Sequence, residues 1–254
     1  MLAELVAQDL FAVLLIFVRA GSAFMVLPGF SEAYVWARVR LLLALVVSVV
    51  LAGPLGPAMP DLPAAPLELG RLLAGEALLG LFLGCTARFA FAALHVAGTA
   101  LAFQSGLAAA AIFDPNEATQ GTLTGNFLTT TALVLLFVTD GHHLVLQALA
   151  ASYAGLPAGG APPLGDMAEL LVRLLDQAFA VGVRIAAPLL LVSLLMYLGM
   201  GVLNRLMPTF QVFFIALPLQ MLAAFATIMV SFGAGLLAFF TLFEDALGTL
   251  ATGG

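Results

Sequence analysis

Few side chains in this sequence can do chemistry, and most of those are set into apolar runs. Glu76 and Arg88 stand 12 residues apart in one run, about 18 Å along a single helix and too far to pair directly. Arg19 sits near the middle of another run. Arg173, Asp176 and Gln177 occupy i, i+3 and i+4, so Arg173 and Asp176 can face each other as an intramembrane ion pair. A charge inside a bilayer costs roughly 2.5–3.5 kcal/mol on insertion scales, so each needs a partner or water. A satisfied pair at a helix end accounts for Arg173 and Asp176; a proton relay is the alternative.

The most enzyme-like cluster is TDGHH, residues 139–143, with Asp140, His142 and His143 close in sequence. Adjacent histidines project to different sides of a regular helix or strand, which makes them poor joint ligands. No second His, Cys or Asp cluster stands at a metal-site spacing. The segment therefore reads as a polar turn in the middle of a hairpin, with metal binding or proton transfer as the alternative. His95, alone among small apolar residues, reads as a packed or hydrogen-bonded helix residue. Cys85 is the sole cysteine, which excludes an internal disulfide and a Cys-based metal cluster. It reads as a small packing residue. Nothing resembles a phosphate-cradling glycine loop, and Gly80-x-x-x-Gly84 is a close-approach helix surface. The parts of an enzyme are missing, and no cofactor or metal is expected.

The elements that would hold these residues are membrane helices. Hydrophobic residues make up 63% of the 254 and charged residues 9%, with a mean hydropathy of +1.16. A soluble domain is closer to half apolar and a quarter charged. The expected fold class is therefore all-α and polytopic, with about six long, kinked segments. All eight basic residues are Arg, and the net charge of −6 offers no basic patch for nucleic acid. No basic n-region or cleavage site marks a signal peptide.

Six apolar blocks can be drawn, at about 10–27, 41–52, 72–113, 127–156, 168–203 and 210–243. A Pro-rich linker follows the second, and TDGHH interrupts the fourth. The sixth runs for 34 residues without an ionisable side chain. As a straight helix it would be about 51 Å long against ~30 Å of hydrocarbon. Tilt cannot absorb that excess. Pro218 and the cluster Gly233-Ala234-Gly235 are candidate bends, and burial in an assembly is the preferred reading. Arg38, Arg40 and Arg205 fall between blocks on one side, while the 53–70 linker, the 155–167 segment and the C-terminal tail lack Arg. The positive-inside rule then places both termini outside and Arg205 in the cytoplasm.

One stretch fits neither a span nor a solvated loop: QSGLAAAAIFDPNEATQG, residues 104–121. With VRAGSAFMVLPGF (18–30), ARVRLLLALVVSVVLAGPL (37–55), GEALLGLFLG (75–84) and YLGMGVLNRLMPTFQVFFIALPLQM (197–221), it forms an ordered set of motifs. The set resembles the FliR family, the single-copy subunit of the flagellar type III export gate, which has injectisome relatives. The resemblance covers about residues 8–245, and LPGFSE followed by ARVRLLLAL leans flagellar.

The resemblance implies a FliP-like helical region over 1–167 fused to a FliQ-like helical hairpin over 168–254. It implies FliP-like, FliQ-like and FlhB-like membrane partners, unfolded flagellar export substrates, and a place in the bacterial inner membrane within the basal body. It also implies a plug loop over 104–115, with Gln104, Gly106 and Leu107 at its start, Ile112 and Phe113 at its tip, and Asp114 and Pro115 at its exit. An apolar ring of this kind seals by dewetting and yields to a passing chain. Family members often carry aromatics where residues 108–111 here are all alanine. Asn204, Arg205 and Pro208 match the family's cytoplasmic hairpin tip. The competing reading is a secondary transporter or small channel with Arg173, Asp176 and Arg184 along a solute path. No repeat between the two halves supports it.

Overall fold

Apolar runs of 15 to 43 residues fold as α-helices because in hydrocarbon each backbone N–H and C=O must be satisfied within its own segment. The computed structural model describes residues 2–105, 123–207 and 212–252. These form α1 (Leu2–Phe24), α2 (Ala37–Leu55) and α3 (Pro66–Ser105), then α4 (Leu123–Val138) and α5 (Gly141–Gly155), and finally α6 (Leu164–Leu206) and α7 (Val212–Thr252). Pro66 opens α3, where the ring's fixed φ and missing N–H are harmless. Asp166 in the first turn of α6 and Arg205 in its last turn both complement the helix dipole. Among the described residues, five helices are long and apolar enough to cross a membrane, or six with α4 and α5 as one span bent by 78°. That bend falls at the expected polar turn, where Asp140 takes the left-handed conformation at φ 59.

Three helices exceed an ordinary span. α3 has 40 residues, α6 has 43 and α7 has 41, each about 60 Å at 1.5 Å per residue. Neither candidate bend in the last block ends the helix. α7 continues as one helix through Pro218 and through Gly233–Gly235, because a proline removes one N–H but does not end a helix whose flanking turns are intact. α2 is the least covered candidate span, with 11% of its apolar window buried.

The chain divides into two compact units, one of Met1–Phe89, Leu136–Leu174 and Phe243–Gly254, the other of Ala90–Leu135 and Leu175–Leu242. The long helices contribute to both units, so this division differs from a cut at residue 167. Lipid is as apolar as leucine, so close approach of backbones has to replace the hydrophobic drive of a soluble core. In the first unit α3 supplies that approach. A Cβ at Gly80 would collide with the Arg19 carbonyl oxygen and Ser22 Oγ, and one at Gly84 would lie 2.8 Å from Val26 Cβ. The close-approach surface read from the sequence is thus the α1–α3 contact. In the second unit Gly98 meets Gly125, and Gly182 meets the Ala93 carbonyl and Val96. Gly235 packs on Ile185, and Gln220 bonds Tyr197. Higher numbers on α7 meet lower numbers on α6, so the two run antiparallel as a hairpin.

Candidate functional site

α1 buries the pairs 11/12, 15/16, 19/20 and 23/24, one stripe repeating every fourth residue. Arg19 lies on that stripe with 0% exposure, and Glu76 of α3 is 1% exposed. The two meet in a bidentate pair. Arg19 Nε donates to Glu76 Oε2 at 2.7 Å, and Nη2 donates to Oε1 at 3.2 Å. Arg19 Nη1 donates to Ser152 Oγ at 3.2 Å and Nη2 to the Leu156 carbonyl at 3.0 Å. The guanidinium lies 3.9 Å over the Tyr153 ring. Planar geometry, five donors and a weakly hydrated charge suit arginine to this place.

Sequence reasoning weighed Glu76 against Arg88 and missed Arg19 as its partner. Two opposite charges buried in separate apolar helices were the available signal. A cavity of about 190 Å³ adjoins the pair, lined by Glu68, Arg71, Gly75, Glu76, Gly159 and Pro162 among others. Arg88 serves elsewhere, donating to Ser31 Oγ at 3.1 Å. Arg40 Nη2 donates to the Glu32 and Val35 carbonyls at 2.7 and 2.9 Å. These two arginines fasten the loop between α1 and α2, where Phe30 packs on Phe24 at 5.1 Å and on Phe137 at 5.9 Å.

The plug-loop residues fall largely outside the described residues: Gly106, Leu107, Ile112, Phe113, Asp114 and Pro115 all do. Gln104, in the last turn of α3, is described. Its carbonyl accepts a hydrogen bond from Gln220 Nε2 of α7 at 2.8 Å, and the same nitrogen donates to Tyr197 Oη of α6 at 3.1 Å. Gln220 is buried. A buried amide with both N–H groups used fixes the end of α3 against the α6–α7 hairpin, all within the second unit. This contact was not read from the sequence.

Two sequence readings are corrected. Arg173 bonds Glu169 Oε1 at 2.5 Å rather than Asp176, and both side chains of that pair are largely exposed. Glu N-terminal to Arg at i,i+4 is the favoured order, which the i,i+3 pairing with a shorter Asp lacks. Asp176 and Arg184 are exposed as well. His142 and His143 do not diverge either. Their ring centroids lie 4.2 Å apart, because side-chain rotation lets two large rings meet although their Cα–Cβ bonds diverge on the helix. Asn204 and Arg205 are exposed at the end of α6, and Pro208 is outside the described residues. His95 lies on an exposed position of α3, its carbonyl accepting from Thr99 Oγ1.

The family described as bacterial export proteins, family 1, matches residues 10–246. The flagellar biosynthetic protein FliR of Caulobacter vibrioides is 33% identical over 225 residues, covering 89% of this chain and 90% of the relative. FliR of Bacillus subtilis is 32% identical over 230 residues, covering 87% and 86%. The Yop proteins translocation protein T of Yersinia pestis is 29% identical over 223 residues, covering 87% and 85%.

Proposed function

The chain belongs to the FliR family of bacterial export proteins, which are export-apparatus membrane proteins and not enzymes, and from this premise we propose that it closes a flagellar export gate together with FliP-like and FliQ-like subunits. Residues 1–167 supply the FliP-like part, 168–254 the FliQ-like hairpin, and 104–115 the loop that seals the channel against water. The gate sits in the inner membrane within the basal body, with the termini periplasmic and Arg205 cytoplasmic.

The observation that carries this reading is the length and surface of the α6–α7 hairpin. Each helix is about twice the hydrocarbon thickness, and each exposes large apolar side chains along its course. Leu191, Leu194 and Leu198 are exposed on α6, and Leu222, Met229 and Val230 on α7. A bilayer covers about half of such a helix, so the remainder requires protein neighbours. The buried Gln220 contact at the end of α3 supports the loop assignment, since a seal needs a fixed root.

Ion permeability of cells expressing variants, normalised to assembled complex recovered by pull-down, tests the reading. Ile112→Gly with Phe113→Gly removes the apolar groups and frees the backbone, so leak per complex should rise while recovery holds. Leu191→Ala with Leu194→Ala should lower recovery without raising leak per complex. Equal normalised leak in the two variants would remove the plug. A monodisperse, thermally robust monomer purified without partners would remove the assembly.

A further inference from the structure

The break between α4 and α5 gathers three metal-type donors that the export reading leaves without a task. One ligand atom each from Asp140, His142 and His143 lies within 4.8 Å of the other two. All three residues belong to the first unit. An aspartate at a helix N-cap ordinarily accepts from the backbone N–H groups of the first turn. Asp140 occupies that position before α5 but makes no side-chain capping bond, its backbone standing at φ 59, ψ 16. The carboxylate approaches His143 Nδ1 at 3.7 Å instead. That is too long for a hydrogen bond, so neither group satisfies the other. His142 Nδ1 is buried and has no hydrogen-bond partner among the described residues. Its ring stacks on Phe137 at 5.2 Å and 22°, and Phe137 packs in turn on Phe30. An aromatic column therefore fixes the orientation of this imidazole.

We propose that Asp140, His142 and His143 form a binding site for a divalent first-row transition metal of the zinc type. Two imidazoles and a carboxylate are the ligand chemistry that zinc, cobalt and nickel favour over calcium or magnesium. Bonds of 2.0–2.1 Å in a tetrahedral site put donors about 3.3 Å apart. Side-chain rotation at Asp140 and His143, both largely exposed, closes the remaining gap without moving the helices. No fourth donor joins the group among the described residues, which leaves one position for water. Bound there, the ion ties the left-handed residue to the first turn of α5 and clips the break in place.

The test is titration of Co²⁺ into the full chain, purified with its co-expressed membrane partners through a tag without histidine. The visible d–d absorption reports the geometry, and competition with Zn²⁺ reports the affinity. Three variants separate binding from folding. Asp140→Asn keeps a residue that tolerates the left-handed conformation, His142→Phe keeps the stack on Phe137, and His143→Gln changes an exposed side chain. The expected result is one tetrahedral Co²⁺ per chain, displaced by Zn²⁺, with affinity falling at least tenfold in each variant at unchanged complex recovery. Absent Co²⁺ absorption, or equal affinity in wild type and all three variants, would overturn the site and leave a solvated turn.

Discussion

Two ion pairs of the same chemistry stand in opposite surroundings. Arg19 and Glu76 meet across two helices with side-chain exposures of 0% and 2%, and Arg173 and Glu169 meet along one helix with 74% and 63%. The exposed pair exists because i,i+4 spacing makes neighbours of any two residues so placed. The buried pair has surrendered its water. Each unit of charge there depends on named partners, since a buried ion is tolerable only when paired and hydrogen-bonded. Bond length does not separate the two, for both are short. What the partner's removal leaves behind does.

The largest effect should come from breaking the buried pair on one side. Glu76→Ala leaves the Arg19 guanidinium enclosed without its carboxylate, at a cost of about 3–5 kcal/mol. The measurement is the thermal midpoint and yield of the co-purified complex. A shift no larger than that of a surface variant would mean that water reaches Arg19 through the adjoining cavity and that the contrast is false. Gly80→Leu attacks the same contact from the backbone side. Any Cβ there meets the Arg19 carbonyl, so overpacking of roughly 1–3 kcal/mol should part α1 from α3. A wild-type midpoint for this variant would contradict the close approach.

The double variant Arg19→Met, Glu76→Leu sharpens the comparison. Replacing both charges by apolar groups removes the stranded ion, so at least half of the loss from Glu76→Ala should return, as a double-mutant cycle would report. Full recovery is not expected, since Ser152 Oγ and the Leu156 carbonyl lose their donor. A double variant worse than either single change would show that the pair is favourable in itself. The smallest effect belongs to Glu169→Ala, within about 0.5 kcal/mol and weaker still at high salt. Should it match Glu76→Ala, residue 169 is covered by a neighbouring subunit in the assembly.

The sequence determined the helices, because an apolar run in hydrocarbon has no other way to satisfy its backbone. It also determined the break at TDGHH, the overlong last segments and the glycine face at 80 and 84, each fixed by local composition. The stripe at 15/16, 19/20 and 23/24 that holds Arg19 is a pattern of burial, which a run apolar on every face does not announce. What covered that stripe was not local. Glu76 lies 57 residues from Arg19 and Ser152 lies 133 away, and Gln220 reaches Gln104 across 116. Spacing along one helix sets which residues share a face, and only the packing of one helix on another sets which faces meet. The same limit explains the histidines. Projection from a regular helix predicts divergence, but the rotamers that bring the two rings to 4.2 Å depend on what packs around them, here Phe137 stacked on His142.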